Sequence, residues 1–296
     1  MTTATEQPAP PADLHAKRTF HELRDVQGPS AIGGGWRRFF DLLLLISVND
    51  FKTTYYGSVL GYFWSLLRPA LLFSVMLVVF TKIFHVGGEG VTHYPVFLLL
   101  GIVLYTSFQE STAAAVTSVV GKEGIVRKTQ FPRLVIPLAT VATGTFNLLL
   151  NLVPVFVFIL AFGVSPTWTW FLIPVMLAVL IVLTATVSMI LSALYVRYRD
   201  VAIIWSVAGT VLLYGSPILY PYENAPGAMQ TVLLFNPLTP ILAQARNWII
   251  EPEAPNAVAA MGGWGRFSIS VVIYLIICGA AVWIFNREAP RIAEDL

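Results

Sequence analysis

The chain reads as an all-α protein built into a membrane, and three features say so. Of its 296 residues, 56% are hydrophobic and only 11% are charged, against about 25% charged in soluble domains. The apolar residues gather into six runs, each close to the roughly 20 residues a helix needs to cross the hydrocarbon. The basic residues fall between those runs in a one-sided pattern. A net charge of +2 is too small to suggest a nucleic-acid partner.

Residues 1–35 open with MTTATEQPAPPADL, polar and Pro-rich, without the apolar core of a signal peptide. They are expected to form a disordered cytoplasmic tail, and residues 36–296 a single membrane domain. In 37–50, RRFFDLLLLISVND, a short apolar core is broken by Asp41 and preceded by Arg37 and Arg38. Phe39, Leu42, Leu43 and Ile46 fall on one helical face, as in an amphipathic helix lying in the membrane interface. The spans follow at about 61–84, 95–120, 134–162, 168–196, 201–220 and 267–285. Arg68 and Pro69 lie in the first half of the first span, where Arg68 can snorkel toward the near surface. Prolines inside spans are tolerated where neighbouring groups satisfy the freed carbonyls.

The positive-inside rule orients the spans. Lys17, Arg18, Arg24, Arg37, Arg38, Lys52 and Arg68 precede or open the first span. Lys122, Arg127, Lys128 and Arg133 follow the second, Arg197 and Arg199 the fourth, and Arg287 and Arg291 the sixth. Only Lys82, Arg246 and Arg266 fall on the other side. Both termini are therefore expected in the cytoplasm. Residues 222–265, between the last two spans, contain Asn236-Pro237 and Pro240 among apolar neighbours. That stretch is too interrupted to cross and too apolar for a free loop. A pair of short re-entrant helices fits it, and irregular backbone there must be enclosed by protein or a water-filled cavity. Asn236, Pro237 and Arg246 are accordingly candidate gate residues.

No catalytic constellation appears. There is no P-loop, the four histidines are not grouped with carboxylates or cysteine, and the six aspartates are scattered. No metal site is expected, and Cys278 reads as a packing residue. Glu110 is the only acid deep in an expected span. A lone charge there costs about 2.5–3.5 kcal/mol on insertion scales. It therefore lines a pore, couples to protons, or is held by a structural hydrogen bond. The basic island 120–138, VGKEGIVRKTQFPRLVIPL, lies between two apolar runs and must be a loop. Because the chain has no ATP site of its own, this loop is a candidate place for energy to enter from a partner.

Four separated pieces together resemble one family: DFKTTYYGSVLGYFWSLLRPAL (50–71), GIVRKTQFPRLVIPL (124–138), YVRYRDV (195–201) and NPLTP (236–240) followed by Arg246. The chain resembles the permease subunit of type-2 ATP-binding-cassette exporters of polysaccharides, such as O-antigen, teichoic-acid and galactan exporters. The resemblance covers Arg37 to the C-terminal end. It implies a homodimer of six-span subunits in a bacterial inner membrane, joined by two copies of a separate ATPase that binds ATP and Mg. No cofactor is implied in this chain, and no enzyme activity beyond that of the whole complex. The cargo would be a glycan on a polyprenyl diphosphate. Lys122, Arg127, Lys128, Phe131, Pro132 and Arg133 would dock on the ATPase, with Phe131 as anchor and the charges on the rim. Arg197, Arg199 and Asp200 would make a second contact. Arg37, Arg38, Lys52 and Arg68 are candidates for the carrier headgroup. An exporter of drugs or lipids with the same fold is the alternative. A multispan glycosyl or acyl transferase would need an Asp, Glu or His cluster that the chain does not show.

Overall fold

A computed structural model describes residues 35–55, 61, 63–83, 93–124 and 132–288. The described residues form helices and turns, with no strand among them. In chain order the helices are α1 (Trp36–Tyr55), α2 (Phe63–Val78, continued by a π turn Val79–Ile83), α3 (Tyr94–Gly121) and α4 (Val135–Ala161). Then come α5 (Ile173–Arg197, entered through a 3-10 turn Trp168–Leu172), α6 (Val201–Tyr214), α7 (Gly227–Leu234) and α8 (Leu238–Ala245, continued by a π turn Arg246–Ile250). The last are α9 (Ala257–Ala260) and α10 (Trp264–Glu288). The expected tail 1–35 lies outside the described residues except for Gly35.

Five helical segments are long and apolar enough to cross a membrane: Leu66–Ile83, Tyr94–Gly121, Val135–Ala161, Trp168–Arg197 and Trp264–Glu288. The most enclosed is α3, which packs most extensively on α4 and α5. We call the end of the bundle where α3 begins the upper end. The upper half of α3 is apolar on all sides, as a central helix must be, and its lower half carries the polar residues Thr106, Ser107, Gln109, Glu110, Ser111 and Thr112. Helix α4 runs back up and stops at Gly163, whose φ of +82° suits glycine. There the Val164 N–H reaches the Ile159 carbonyl and the Gly163 N–H that of Leu160. Ile159 and Val164 are both buried beside this cap, which completes a Schellman ending.

The expected fifth span is not among the five. Its helix, α6, has 14 residues, about 21 Å of rise against a hydrocarbon core of about 30 Å. It ends because Pro217 has no N–H and disfavours helical backbone at Ser216. The segment nevertheless runs antiparallel to α3 well beyond Tyr214. Trp205 Nε1–H donates to Thr112 Oγ1 at 3.0 Å, Tyr105 donates to the Gly209 carbonyl, Ile218 lies against Gly101, and Tyr94 donates to the Leu219 carbonyl at 2.8 Å. From Thr112 to Tyr94 is about 27 Å along α3.

Helix α1 begins and ends beyond the expected 37–50. Its expected face does pack inward: Phe39, with Leu42, Leu43 and Ile46, joins Val119, Val135, Ile136 and Val196. Trp36, Phe40, Leu44, Leu45 and Val48 on its other side are exposed. Between α6 and α10, α7 and α8 have eight residues each, about 12 Å, too short to cross. They form an upper cap with α9 and the second π turn.

Candidate functional site

The most polar cavity, about 320 Å³, lies where α1, α2, α3 and α4 meet. Helix α3 supplies Thr106, Ser107, Glu110, Ser111 and Ala114, and α4 supplies Thr140, Thr143, Gly144, Asn147, Leu148 and Asn151. Both sets recur at intervals of three and four, so each is one face of its helix. Asp50 and Thr54 of α1 and Pro69 of α2 complete the wall. Gly144 permits the close approach of α3 and α4, because a Cβ there would collide with Ser111. A larger cavity of about 450 Å³, bounded by α5, α8 and α10, is almost wholly apolar. Its few polar groups are bonded within the fold: Ser270 to the Leu234 carbonyl, Tyr274 to that of Val179, and Gln244 to Asn247 and the Ala257 N–H. The polar cavity is the one with chemistry to offer.

Its hydroxyls are anchored on backbone. Thr106 donates to the Ile102 carbonyl at 2.8 Å and Thr140 to that of Ile136 at 3.2 Å. Thr143 is shared between the carbonyls of Ala139 and of Ser47 in α1, at 3.0 and 3.1 Å. Such bonds satisfy the proton inside the helix and leave oxygen lone pairs outward. Tyr55 of α1 donates to Asn147 Oδ1 at 2.7 Å, and Phe51 packs edge-on against Phe146. These contacts pin α1 along the lower half of α4.

Two ion pairs border the cavity. Arg68 of α2 reaches Glu110 of α3 at 3.1 Å, with side chains 80% and 55% exposed. Arg68 does not snorkel away, as the sequence led us to expect. An acid on the adjacent span offers it a better partner than a distant surface, because pairing is the way charges persist in lipid. Of the structural and pore-lining alternatives for Glu110, the structure shows a cross-helix bond and a place on the cavity wall. The second pair joins Lys122, at the lower end of α3, to Asp50 of α1. It ties the start of the basic loop to the cavity wall.

The other expected headgroup residues do not meet Arg68 among the described residues. Arg37, Arg38 and Lys52 are exposed on α1, and Arg37 and Lys52 are about 22 Å apart along it. At the lower end, one apolar cluster gathers the end of α3, the starts of α1 and α4 and the end of α5. The basic loop and the 197–200 turn therefore share one end of the bundle. Arg127, Lys128 and Phe131 lie outside the described residues. Pro132 and Arg133 are buried, so Arg133 is not the exposed rim charge expected of it. Its position at the foot of α4 places it inside the helix junction. Arg197 lies over Tyr198 at 5.5 Å and Arg199 over half-buried Tyr195 at 5.1 Å, and Arg197, Arg199 and Asp200 are exposed.

The candidate gate residues belong to the upper cap. Asn236 is buried and donates to Ser216 Oγ at 2.7 Å and the Gly215 carbonyl at 3.1 Å, while its Oδ1 accepts from the Leu238 N–H at 2.9 Å. At the end of α7, Ser270 caps the Leu234 carbonyl, one of the helix-end carbonyls that lack a partner within the helix, and Thr239 adds a bond to the Leu233 carbonyl, which also accepts from the Asn236 N–H. Half-buried Pro237 borders the apolar cavity. Buried Arg246 bridges Glu223 at 3.4 Å and Glu251 at 2.9 Å, and its guanidinium stands over Phe97 at 5.8 Å. Burial holds the phenol of neighbouring Tyr222 above its ordinary range, with Arg266 opposing and Glu223 reinforcing. Phe97 is about 20 Å along α3 from Glu110, so the gate candidates and the polar cavity are separate places.

Sequence reasoning missed Asp50, Thr106, Ser107, Ser111, Thr140, Thr143, Asn147 and Asn151 as site residues. A signal was present: Asn147 and Asn151, one turn apart in GTFNLLLNLVP, put two amides on one face of an otherwise apolar run. Among the described residues, no group of three or more His, Cys, Asp or Glu could hold a metal.

Comparison with known proteins gives this arrangement its context. The chain is similar to the O-antigen export system permease protein RfbA of Klebsiella pneumoniae, 29% identical over 262 residues, covering 87% of this chain and 95% of that protein. It is 26% identical over 257 residues to the protein of the same name in Myxococcus xanthus, covering 86% of this chain and 95% of the relative. With the polysialic acid transport protein KpsM of Escherichia coli it shares 24% identity over 251 residues, 82% of this chain and 92% of the relative. The family model for ABC-2 type transporters matches residues 41–249, and the chain belongs to that family of membrane transporters.

Proposed function

We propose that this chain is the permease subunit of an exporter that moves a polyprenyl-diphosphate-linked polysaccharide out of the cytoplasm across the bacterial inner membrane. The observation that carries the proposal is the polar cavity with an exposed ion pair in the middle of an apolar bundle. Glu110 lies near the midpoint of α3, and lipid cannot face such a pair without a cost of several kcal/mol. The open side must meet water, cargo or a second copy of the chain, which supports a path enclosed by a homodimer. The glycan cargo is supported by the relatives, which are export and transport proteins for O-antigen and polysialic acid.

The chain crosses six times. Residues 201–220 follow α3 over about 27 Å, most of the hydrocarbon thickness, with Ile218 and Leu219 buried. That supports a crossing that is helical to Tyr214 and irregular beyond it, where protein shields the backbone. Both termini are then cytoplasmic, residues 36–296 act as one domain, and α1 lies at the interface with its exposed apolar side in lipid. The upper cap is the re-entrant segment and closes the outer mouth. Energy comes from two copies of a separate ATPase, which hold ATP and Mg. They dock at the lower end, on Lys122, Arg127, Lys128 and Phe131, with Arg197, Arg199 and Asp200 beside them, while buried Pro132 and Arg133 support the loop from inside the helix junction. Movement of the loop reaches the cavity through the Lys122–Asp50 pair. Arg68, with Arg37, Arg38 and Lys52 nearer the cytoplasm, receives the diphosphate.

Depletion in the native host tests the proposal. Lipid-linked glycan should accumulate on the cytoplasmic side, resolved by extraction and sugar analysis. Unchanged glycan, with hypersensitivity to drugs instead, would overturn it in favour of a drug exporter.

A further inference from the structure

We propose that the cavity between α1, α2, α3 and α4 is a subsite for an uncharged, hydroxyl-bearing sugar unit of the cargo, and that it excludes the cargo's phosphates. This assignment rests on the export function proposed above and adds to it a division of labour within one protomer.

The first ground is the balance of donors and acceptors. The protons of Thr106, Thr140 and Thr143 are committed to backbone carbonyls, so these hydroxyls turn lone pairs toward the cavity. Glu110 engages Arg68 through Oε1, and Asp50 engages Lys122 through Oδ2. A carboxylate is acceptor-only, with about four lone-pair sites. One bond leaves most of that capacity in place. Asn147 spends its carbonyl oxygen on Tyr55, which leaves its amide N–H groups as donors. The wall is therefore rich in acceptors, two of them carboxylates, and its donors are neutral ones, the amides of Asn147 and Asn151 and the hydroxyls of Ser107 and Ser111. Phosphate oxygens are also acceptors, and against the carboxylates and the committed threonines they would find no proton, which is costly away from water. A sugar hydroxyl donates to those acceptors and accepts from Asn147 in return.

The second ground is charge. Each carboxylate on the wall is matched by one cation, so the pairs leave no net charge to draw an anion inward. Arg68 is by far the more exposed member of its pair and stands at the rim, where a diphosphate can reach it without entering. The third ground is size. At about 320 Å³ the cavity is at the small end of the roughly 300–1,000 Å³ range of small-molecule pockets. It suits a ring unit and not a folded stretch of polymer.

The test uses the full-length chain with its ATPase in detergent-free lipid nanodiscs. Two probes are titrated: a neutral alkyl oligohexoside and an alkyl diphosphate. The double variant Thr106→Val, Thr140→Val keeps side-chain shape and touches neither ion pair nor the α1 contacts. It should weaken alkyl oligohexoside binding about tenfold, the effect of losing two acceptors, and leave alkyl diphosphate binding within about twofold. Arg68→Gln should do the reverse. Unchanged oligohexoside binding in the valine variant, or equal loss of both probes, would overturn the subsite. Should the unaltered complex bind neither probe, with ATP hydrolysis indifferent to lipid-linked glycan, the export function itself falls. Should it bind both while the valine variant is silent, only the cavity assignment falls.

Discussion

Arg68 and Glu110 show how much a single pair decides in lipid. In the middle of an apolar bundle neither residue is well placed alone, and their mutual bond at 3.1 Å offsets part of that cost. Removing one partner should therefore be worse than removing both. Arg68→Gln or Glu110→Gln alone leaves a lone charge, which costs less than the roughly 2.5–3.5 kcal/mol of full exposure to lipid because the open side of the cavity screens it. The double variant should recover more than half of the lost stability. Thermal unfolding of the nanodisc-embedded complex, run as a double-mutant cycle, measures this, and additive losses would show that the pair is not coupled. Gly144 acts at the same scale by a different route. It carries no chemistry, yet it sets the distance between the two helices whose faces form the cavity.

At the scale of elements, the upper cap is held by side chains that repair broken helices. Between α7 and α8 the backbone turns at Asn236-Pro237, and Asn236 alone serves Gly215, Ser216 and Leu238. Asn236→Ala leaves these buried groups without that partner, at about 1–3 kcal/mol for an unsatisfied group. Hydrogen exchange should speed up at the amides of α7 and α8 while those of α3 stay protected. Unchanged exchange in α7 and α8 would remove Asn236 from that role. Helix α6 follows the same logic. It breaks at Pro217, and the irregular stretch beyond survives because Tyr94 of α3 bonds the Leu219 carbonyl.

For the whole molecule, the helices alternate in direction around α3, and the proposed orientation puts the lower end in the cytoplasm. With Cys278 replaced by Ala, a single cysteine placed at Ala228 should react with a membrane-impermeant maleimide on intact spheroplasts. One at Asn286 should react only after permeabilisation. Both positions are exposed, so burial does not confuse the result. Labelling of Asn286→Cys in intact spheroplasts would reverse the assigned orientation or remove one crossing. The lower end then holds the exposed 197–200 turn and Lys122, from which the basic loop departs.

How much of this was legible differs by level. The long helices were, nearly to their ends: 95–120 was expected where α3 runs Tyr94–Gly121, and 134–162 where α4 runs Val135–Ala161. Twenty apolar residues in a row have one stable form in lipid, because every backbone group must be satisfied within the segment. The interrupted stretch near Asn236 was legible as two short helices for the same reason. The limits of α6 were not, since its continuation depends on what α3 offers to a backbone that has left the helix. The cavity was least legible. A threonine in a span is content with its own helix, and an asparagine reads as an isolated polar residue. Nothing along the chain says that the polar faces of α3 and α4 point at each other. The sequence by itself determined the membrane class, the lengths of the long helices and the one-sided charge. Only the tertiary structure decided which polar groups meet, because helix packing brings together residues that chain order keeps dozens of positions apart.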